Sequence, residues 1–340
     1  MPVDDRPGEA RFDVEGNAWI LSRFADVHAA LHEPRLVAPG TTAVHDMAHI
    51  TVRQSLSQML SAERQAQWRS ALGRDAGRMI DALPANQPVD LVSSFAQPWS
   101  LEVALLATGA LRWNAEECAR LSRQLFLAAA VATHGAPLGV AQQASTALAR
   151  LLPGTCGHAD ATANVQTFVA LSQTLPALLC SAWFALLDPR HAATLAQLRE
   201  HPELVPRAMG ELLRLASPSR AVFREAVAAV EIGGARIRAG DRATLMLFAA
   251  NHDPVRFADP NRLDMDRETT GHLAFGAGLH ACAGATLVRM AVAVATETLL
   301  ERTATIELVD GAASTVEWIG GFAIRAPAAL PVVLTRDAAR

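Results

Sequence analysis

The run Phe275-Gly276-Ala277-Gly278-Leu279-His280-Ala281-Cys282-Ala283-Gly284 decides how this chain is read. It sets a cysteine in a glycine-rich loop directly before an apolar stretch, 285–300, whose pattern is helical. Glycines at 276, 278 and 284 let the backbone bend around a sulfur and approach a flat ligand closely. The unpaired N–H groups of a helix start favour thiolate over thiol. Such a loop suits a haem iron whose axial ligand is cysteine sulfur. Cys118, Cys156 and Cys180 lack this setting and read as small core residues. A nucleophilic role for Cys282 finds no GxCxG-type elbow and no distant Asn/His pair in its support.

Composition narrows the field. The chain has 340 residues, 51% of them hydrophobic, enough for a sizeable core. Its 30 basic and 34 acidic residues are interspersed, which gives no footprint for nucleic acid. There is no lysine and no tyrosine, so every fixed cation is arginine, a good partner for carboxylates. Four irregularly spaced cysteines argue for a reducing compartment, and Met1 to Arg6 has no apolar signal core, so a cytoplasmic location is expected. The uncharged segment 161–187 is long enough to span a bilayer, but Ser172, Gln173, Thr174 and Pro176 fall at its centre. It reads as a buried helix of a globular core, and no membrane anchor is expected.

No repeat or linker divides the chain. Helical periodicity covers 25–31, 49–83, 90–108, 115–133, 138–152 and 193–215. Strand signals fall at 18–21, 226–232, 235–237 and 243–248, and the last 35 residues alternate short strands with turns. The expectation is a single domain over 1–340, mainly α with small β-sheets.

The order Phe-Gly-x-Gly-x-His-x-Cys-x-Gly resembles the haem-binding signature of the cytochrome P-450 superfamily, filled here at each defining position. Glu211-Leu212-Leu213-Arg214 is similar to that family's ExxR, and Arg267 falls where its third partner sits. The resemblance implies haem b held between the long central helix and the cysteine-loop helix, with Cys282 on the iron. Glu211, Arg214 and Arg267 would form a buried network holding the cysteine loop. His49 and Arg53, one helical turn apart, together with Arg224 and His280, would meet the haem propionates. Phe275, Gly276 and Ala170 would border the macrocycle, and Leu171, Ser219, Arg220, Ala221, Val222 and Phe322 the substrate. A ferredoxin or flavodoxin electron donor is implied by the family alone.

The chain also departs from the family. Where monooxygenases carry Ala/Gly-Gly-x-Asp/Glu-Thr in the central helix, this sequence has Ala170-Leu171-Ser172-Gln173-Thr174. Thr174 keeps the alcohol, Gln173 replaces the acid, and Leu171 replaces the small residue of the oxygen groove. A glutamine forms hydrogen bonds yet delivers no proton at neutral pH. Pro176 cannot donate to the Ser172 carbonyl, so the helix should kink there. Residues 36–47 leave little room for the usual substrate lid, so the pocket is compact, open, or completed by a partner chain. The resemblance implies an oxygen-dependent monooxygenase of specialised metabolism acting on a small organic substrate, with Cys282, Thr174 and Gln173 at the chemistry. Gln173 keeps a peroxide-dependent or non-oxygenating reaction open, and the trimmed lid a non-catalytic accessory subunit.

Overall fold

A computed structural model describes residues 6–39, 47–131, 138–153, 158–268, 271–309, 311 and 316–336. The chain divides into two compact units. One comprises Met1–Ile50, Gly210–Cys282 and Phe322–Arg325, the other Thr51–Met209, Ala283–Gly321 and Ala326–Arg340.

The first unit is built on a five-stranded sheet in the order Arg11–Asp13, Ala18–Leu21, Arg242–Leu245, Val222–Ala226, Leu36–Val37. Its pairings are antiparallel except that Ala18–Leu21 runs parallel to Arg242–Leu245. The helix Phe24–His32 closes one face, burying Val27, Ala30 and Leu31 against Leu21, Leu36, Ala226 and Leu245. Strand alternation places Arg224 and Ala226 on the buried side of Val222–Ala226, so a guanidinium occupies a core position. That placement needs an electrostatic reason, because an uncompensated buried charge is costly.

The second unit is helical. Ala285–Arg302 packs along Ala62–Asp81, and a small antiparallel sheet joins Pro88–Asp90, Pro331–Thr335 and Thr305–Leu308. The stretch 160–186 is long and apolar enough to cross a membrane, yet 61% of its most apolar window is buried inside the fold. The indole N–H of Trp183 donates to Thr296 Oγ1 at 3.0 Å and ties this helix to Ala285–Arg302.

Proline shapes two of these helices. His158–Val169 continues into a π-helical turn, Ala170–Thr174, before Leu175–Leu186. Pro176 has no N–H for an i→i−4 bond, and the ladder slips by one residue, Leu175 N–H donating to the Ala170 carbonyl. The kink expected from Pro176 is thus a π-turn. Pro98 sits in the same relation to a second π-turn, Val92–Ala96, where Gln97 N–H donates to the Val92 carbonyl.

Elsewhere the continuous patterns read from the sequence break. The helix expected over 49–83 is two, Met47–Met59 and Ala62–Asp81, and the Gln65 amide caps the Leu60 carbonyl at 2.6 Å. Pro202 divides 193–215 into Ala192–Glu200 and Val205–Ala216. The strand expected over 226–232 is two strands, Val222–Ala226 and Val230–Ile232, and the one at 243–248 ends at Leu245, where Leu247–Asn251 turns helical.

Candidate functional site

The cysteine loop is a closed backbone structure. Gly276 and Gly278 adopt φ +66° and +67°, the left-handed region. Ala281 N–H donates to the Gly278 carbonyl at 3.1 Å, and Cys282 N–H returns to the Phe275 carbonyl at 2.8 Å. A Cβ on Gly278 would lie 2.4 Å from the Leu31 carbonyl oxygen, so the loop rests directly on the last turn of Phe24–His32. Cys282 is exposed at its tip. By contrast, Cys118 and Cys180 are buried, and desolvation pushes both thiols up, Cys180 strongly, which favours the inert protonated form. Cys156 lies outside the described residues.

One buried carboxylate organises the segment leading into this loop. Glu211 is 1% exposed and Arg214 0%. The Arg214 Nε and Nη2 donate to Glu211 at 2.7 and 2.8 Å, a bidentate pair, and Arg267 Nε donates to Glu211 Oε1 at 2.8 Å. The remaining guanidinium hydrogens reach backbone: Arg214 to the carbonyls of Asn251 (2.7 Å) and Pro260 (2.8 Å), Arg267 to those of Ala258 and Asp259. Asp264 N–H completes the set on Glu211 Oε1 at 3.2 Å. The Arg214 guanidinium also lies 5.1 Å over the Phe257 ring.

Sequence reasoning missed the residue that carries this order onward. Asn251 is fully buried; its carbonyl accepts from Arg214, and its side-chain Oδ1 accepts from Leu273 N–H at 2.6 Å. Leu273 in turn accepts from Gly276 N–H at 3.0 Å. Three hydrogen bonds therefore connect the Glu211 network to the first glycine of the cysteine loop. The only sequence signal was an asparagine at the end of an apolar run, 243–251, where a side-chain amide is unusual.

Arg224 bears on what the loop could hold. It is 6% exposed, and among the described residues no carboxylate pairs with it; Nη1 donates to the Phe223 carbonyl at 2.8 Å. Desolvation pulls its pKa below the usual guanidinium range. A buried cation lacking an anion, in the same unit as a reachable cysteine on a close-approach loop, fits haem b, which brings two carboxylates and a thiolate-binding iron. Of the other expected haem contacts, Arg53 and His280 are partly buried, and the His49 side chain lies outside the described residues. Phe275 is partly buried with its ring centroid 6.0 Å from that of His272.

In the second unit, the central helix shows one accessible stripe. Ala170 is exposed and Gln173 and Thr174 are partly buried, whereas Leu171 and Ser172 are in the core. Thr174 Oγ1 donates to the Ala170 carbonyl at 2.6 Å, which spends its proton on the π-turn and leaves its lone pairs outward. Ser172 Oγ donates to the Phe168 carbonyl and meets Ser122 Oγ, both at 2.7 Å, and the Gln173 amide reaches Ser172 Oγ at 3.4 Å. Leu171 therefore lies beside the stripe and not on it.

The remaining expected substrate residues gather in the first unit. Ser219 bridges to Ile324, Arg220 N–H donates to the Ala323 carbonyl at 2.7 Å, and the Phe223 and Phe322 rings stand 6.2 Å apart. Val222 is partly buried, and Phe322 is exposed. Ala221 is buried against Met246 and Ala249 and so supports this segment from behind.

Substitutions at three positions test this architecture. Gly278→Ala adds a methyl group against the Leu31 carbonyl at a left-handed φ, and it should sharply lower haem content while far-UV circular dichroism stays near wild type. Asn251→Ala removes the acceptor for Leu273 but leaves the backbone carbonyl that Arg214 uses. It should shift the reduced carbon-monoxide spectrum away from thiolate ligation, and Asn251→Asp, which keeps the acceptor, should restore much of it; equal spectra in all three proteins would refute the link. Removing Glu211 leaves the buried Arg214 and the partly buried Arg267 uncompensated, so Glu211→Ala should cost about 3–5 kcal/mol in denaturant unfolding.

Comparison with known proteins gives this geometry a context. A family model described as Cytochrome P450 matches residues 187–308. The chain is 28% identical to the mycinamicin IV hydroxylase/epoxidase of Micromonospora griseorubida, across 93% of this chain and 89% of that protein. Among solved structures, the LnmA cytochrome P450 hydroxylase from the leinamycin biosynthetic pathway of Streptomyces atroolivaceus is 29% identical, with a TM-score of 0.78 over 93% of this chain and 90% of that one. HinD, solved with NMFT and NO, is 28% identical, with a TM-score of 0.78 over 96% of this chain and 98% of its own.

Proposed function

Since this chain belongs to the cytochrome P450 family and is a haem b monooxygenase of that type, we propose that Cys282 is the axial thiolate of an enzyme oxygenating a small organic substrate in specialised metabolism. The observation that carries this reading is the pairing, within one unit, of an exposed cysteine on a left-handed glycine loop with a buried arginine that no carboxylate among the described residues meets. The hydroxylases of the mycinamicin and leinamycin systems support the substrate class.

Haem b, when bound, supplies the redox chemistry that activates dioxygen, with the sulfur ligand favouring O–O cleavage. The chain supplies position and protons. Arg224, with His49, Arg53 and His280, compensates the propionates, while Phe275, Gly276 and Ala170 border the macrocycle. The Glu211–Arg214–Arg267 network and Asn251 hold the loop rigid, so the sulfur is presented without reorganisation. Thr174 orders a water or the oxidant through its free lone pairs, because its hydrogen stays on the Ala170 carbonyl. The Gln173 amide donates a hydrogen bond but releases no proton, so the protons that oxygen cleavage consumes come through ordered water or a substrate hydroxyl. Ser219, Arg220, Val222 and Phe322 meet the substrate, with Ala221 supporting them from the core, and Leu171 is the substrate residue proposed on the central helix. Electrons come from a ferredoxin or flavodoxin in the cytoplasm, the chain acting as one haem domain. A partner chain would complete the short lid, whose segment 36–47 lies partly outside the described residues.

Gln173 also favours a second reading, a peroxide-driven or non-oxygenating reaction such as nitrogen-oxide chemistry, and the similarity to HinD, solved with NO, supports it. Reconstitution separates the two. With ferredoxin, its reductase and oxygen, the enzyme should turn over a macrolide- or polyketide-like substrate, and product formed with peroxide alone would favour the second reading. Gln173→Glu installs a proton donor and should raise oxygen-driven turnover, within the roughly 10²–10⁴-fold that such groups supply, while reducing peroxide leakage. A slower, more leaky Glu variant would show that water or substrate already delivers protons efficiently.

A further inference from the structure

We propose that His28 and His32 form a surface site for a borderline divalent transition cation, such as Zn²⁺, Ni²⁺ or Cu²⁺, on the helix that supports the cysteine loop. The two residues stand one turn apart on one face of Phe24–His32, the i, i+4 spacing at which helical histidines share an ion. Their ring centroids are 4.4 Å apart. At metal–nitrogen distances of about 2.0–2.1 Å, two imidazoles held at a right angle around one ion have centroids about 4.5 Å apart, so the pair is spaced for chelation as it stands.

Local bonding prepares the donors. His32 Nδ1 is 2.8 Å from the His28 carbonyl. Donation there fixes the tautomer that leaves Nε2 as the free lone pair, the outer contact that orients a ligating histidine. The His28 ring is steadied by the Phe24 ring, stacked on it at 5.8 Å and 17°. Among the described residues no hydrogen bond engages the His28 imidazole or the Nε2 of His32, and both side chains are exposed, so an ion with its waters has access. Imidazole pairs suit zinc, nickel and copper over magnesium or calcium.

The position gives the site a consequence. A Cβ at Gly278 would lie 3.4 Å from His32 Cδ2, so a bound cation adds positive charge beside the cysteine loop and locks the turn on which that loop rests. Titrating untagged holoenzyme with Ni²⁺ in a calorimeter tests this. One site should appear, and His28→Ala and His32→Ala should each weaken it at least about tenfold, the scale on which even outer contacts of a metal site matter. His201→Ala, which removes a surface histidine 3.2 Å from Glu203, should leave that site intact. Ni²⁺ should raise the unfolding temperature of wild type and of His201→Ala but of neither helix variant. Retained one-site binding and retained thermal stabilisation in His28→Ala or His32→Ala would overturn the proposal, as would the absence of any site in wild type.

Discussion

The rest of the first unit depends on a single buried carboxylate. Glu211 accepts from two guanidiniums and one backbone amide, and those guanidiniums spend their other hydrogens on carbonyls of Asn251, Ala258, Asp259 and Pro260. The stretch 251–267 has only short turns of its own, so side chains perform the work that a ladder performs elsewhere. Burying such a cluster costs desolvation, and its return is a fixed backbone path rather than net stability. That path ends, through Asn251 and Leu273, at the loop bearing Cys282. The proposed role of Cys282 as haem ligand would call for this kind of support, because second contacts orient a metal's ligands.

Proline and hydroxyl groups govern the central helix in the same spirit. Pro176 removes one ladder bond, the backbone answers with a π-turn at Ala170–Thr174, and Thr174 back-bonds to Ala170. The accessible alcohol is therefore an acceptor first. With glutamine at 173, this stretch, 170–174, offers hydrogen bonds and no acid, which is why the proposed function draws protons from water or substrate.

Much of this was legible in the residues. The cysteine loop, the Glu211–Arg214–Arg267 trio, the strand Ala18–Leu21, the strand Ala235–Ile237 and the break near Pro176 all have local signatures: glycines, i, i+3 charges, alternation and a missing N–H. What escaped reading is non-local or two-valued. Pro98 carries the same consequence as Pro176, yet the surrounding pattern is helical either way. Asn251 acquires its role only when Leu273 and Arg214 arrive from distant segments. The burial of Arg224 follows from which face of its strand turns inward, and helix breaks at Leu60 and Pro202 interrupt patterns whose periodicity runs on unchanged. Periodicity reports which face is buried, not where the backbone stops.

The most direct test is the optical spectrum of reduced holoenzyme under carbon monoxide, recorded for wild type and Cys282→His. Thiolate ligation from Cys282 predicts a strongly red-shifted Soret band in wild type, replaced in the variant by the band of histidine-ligated haem. A histidine-type spectrum in fresh wild type, or a red-shifted band that survives in Cys282→His, would contradict the account.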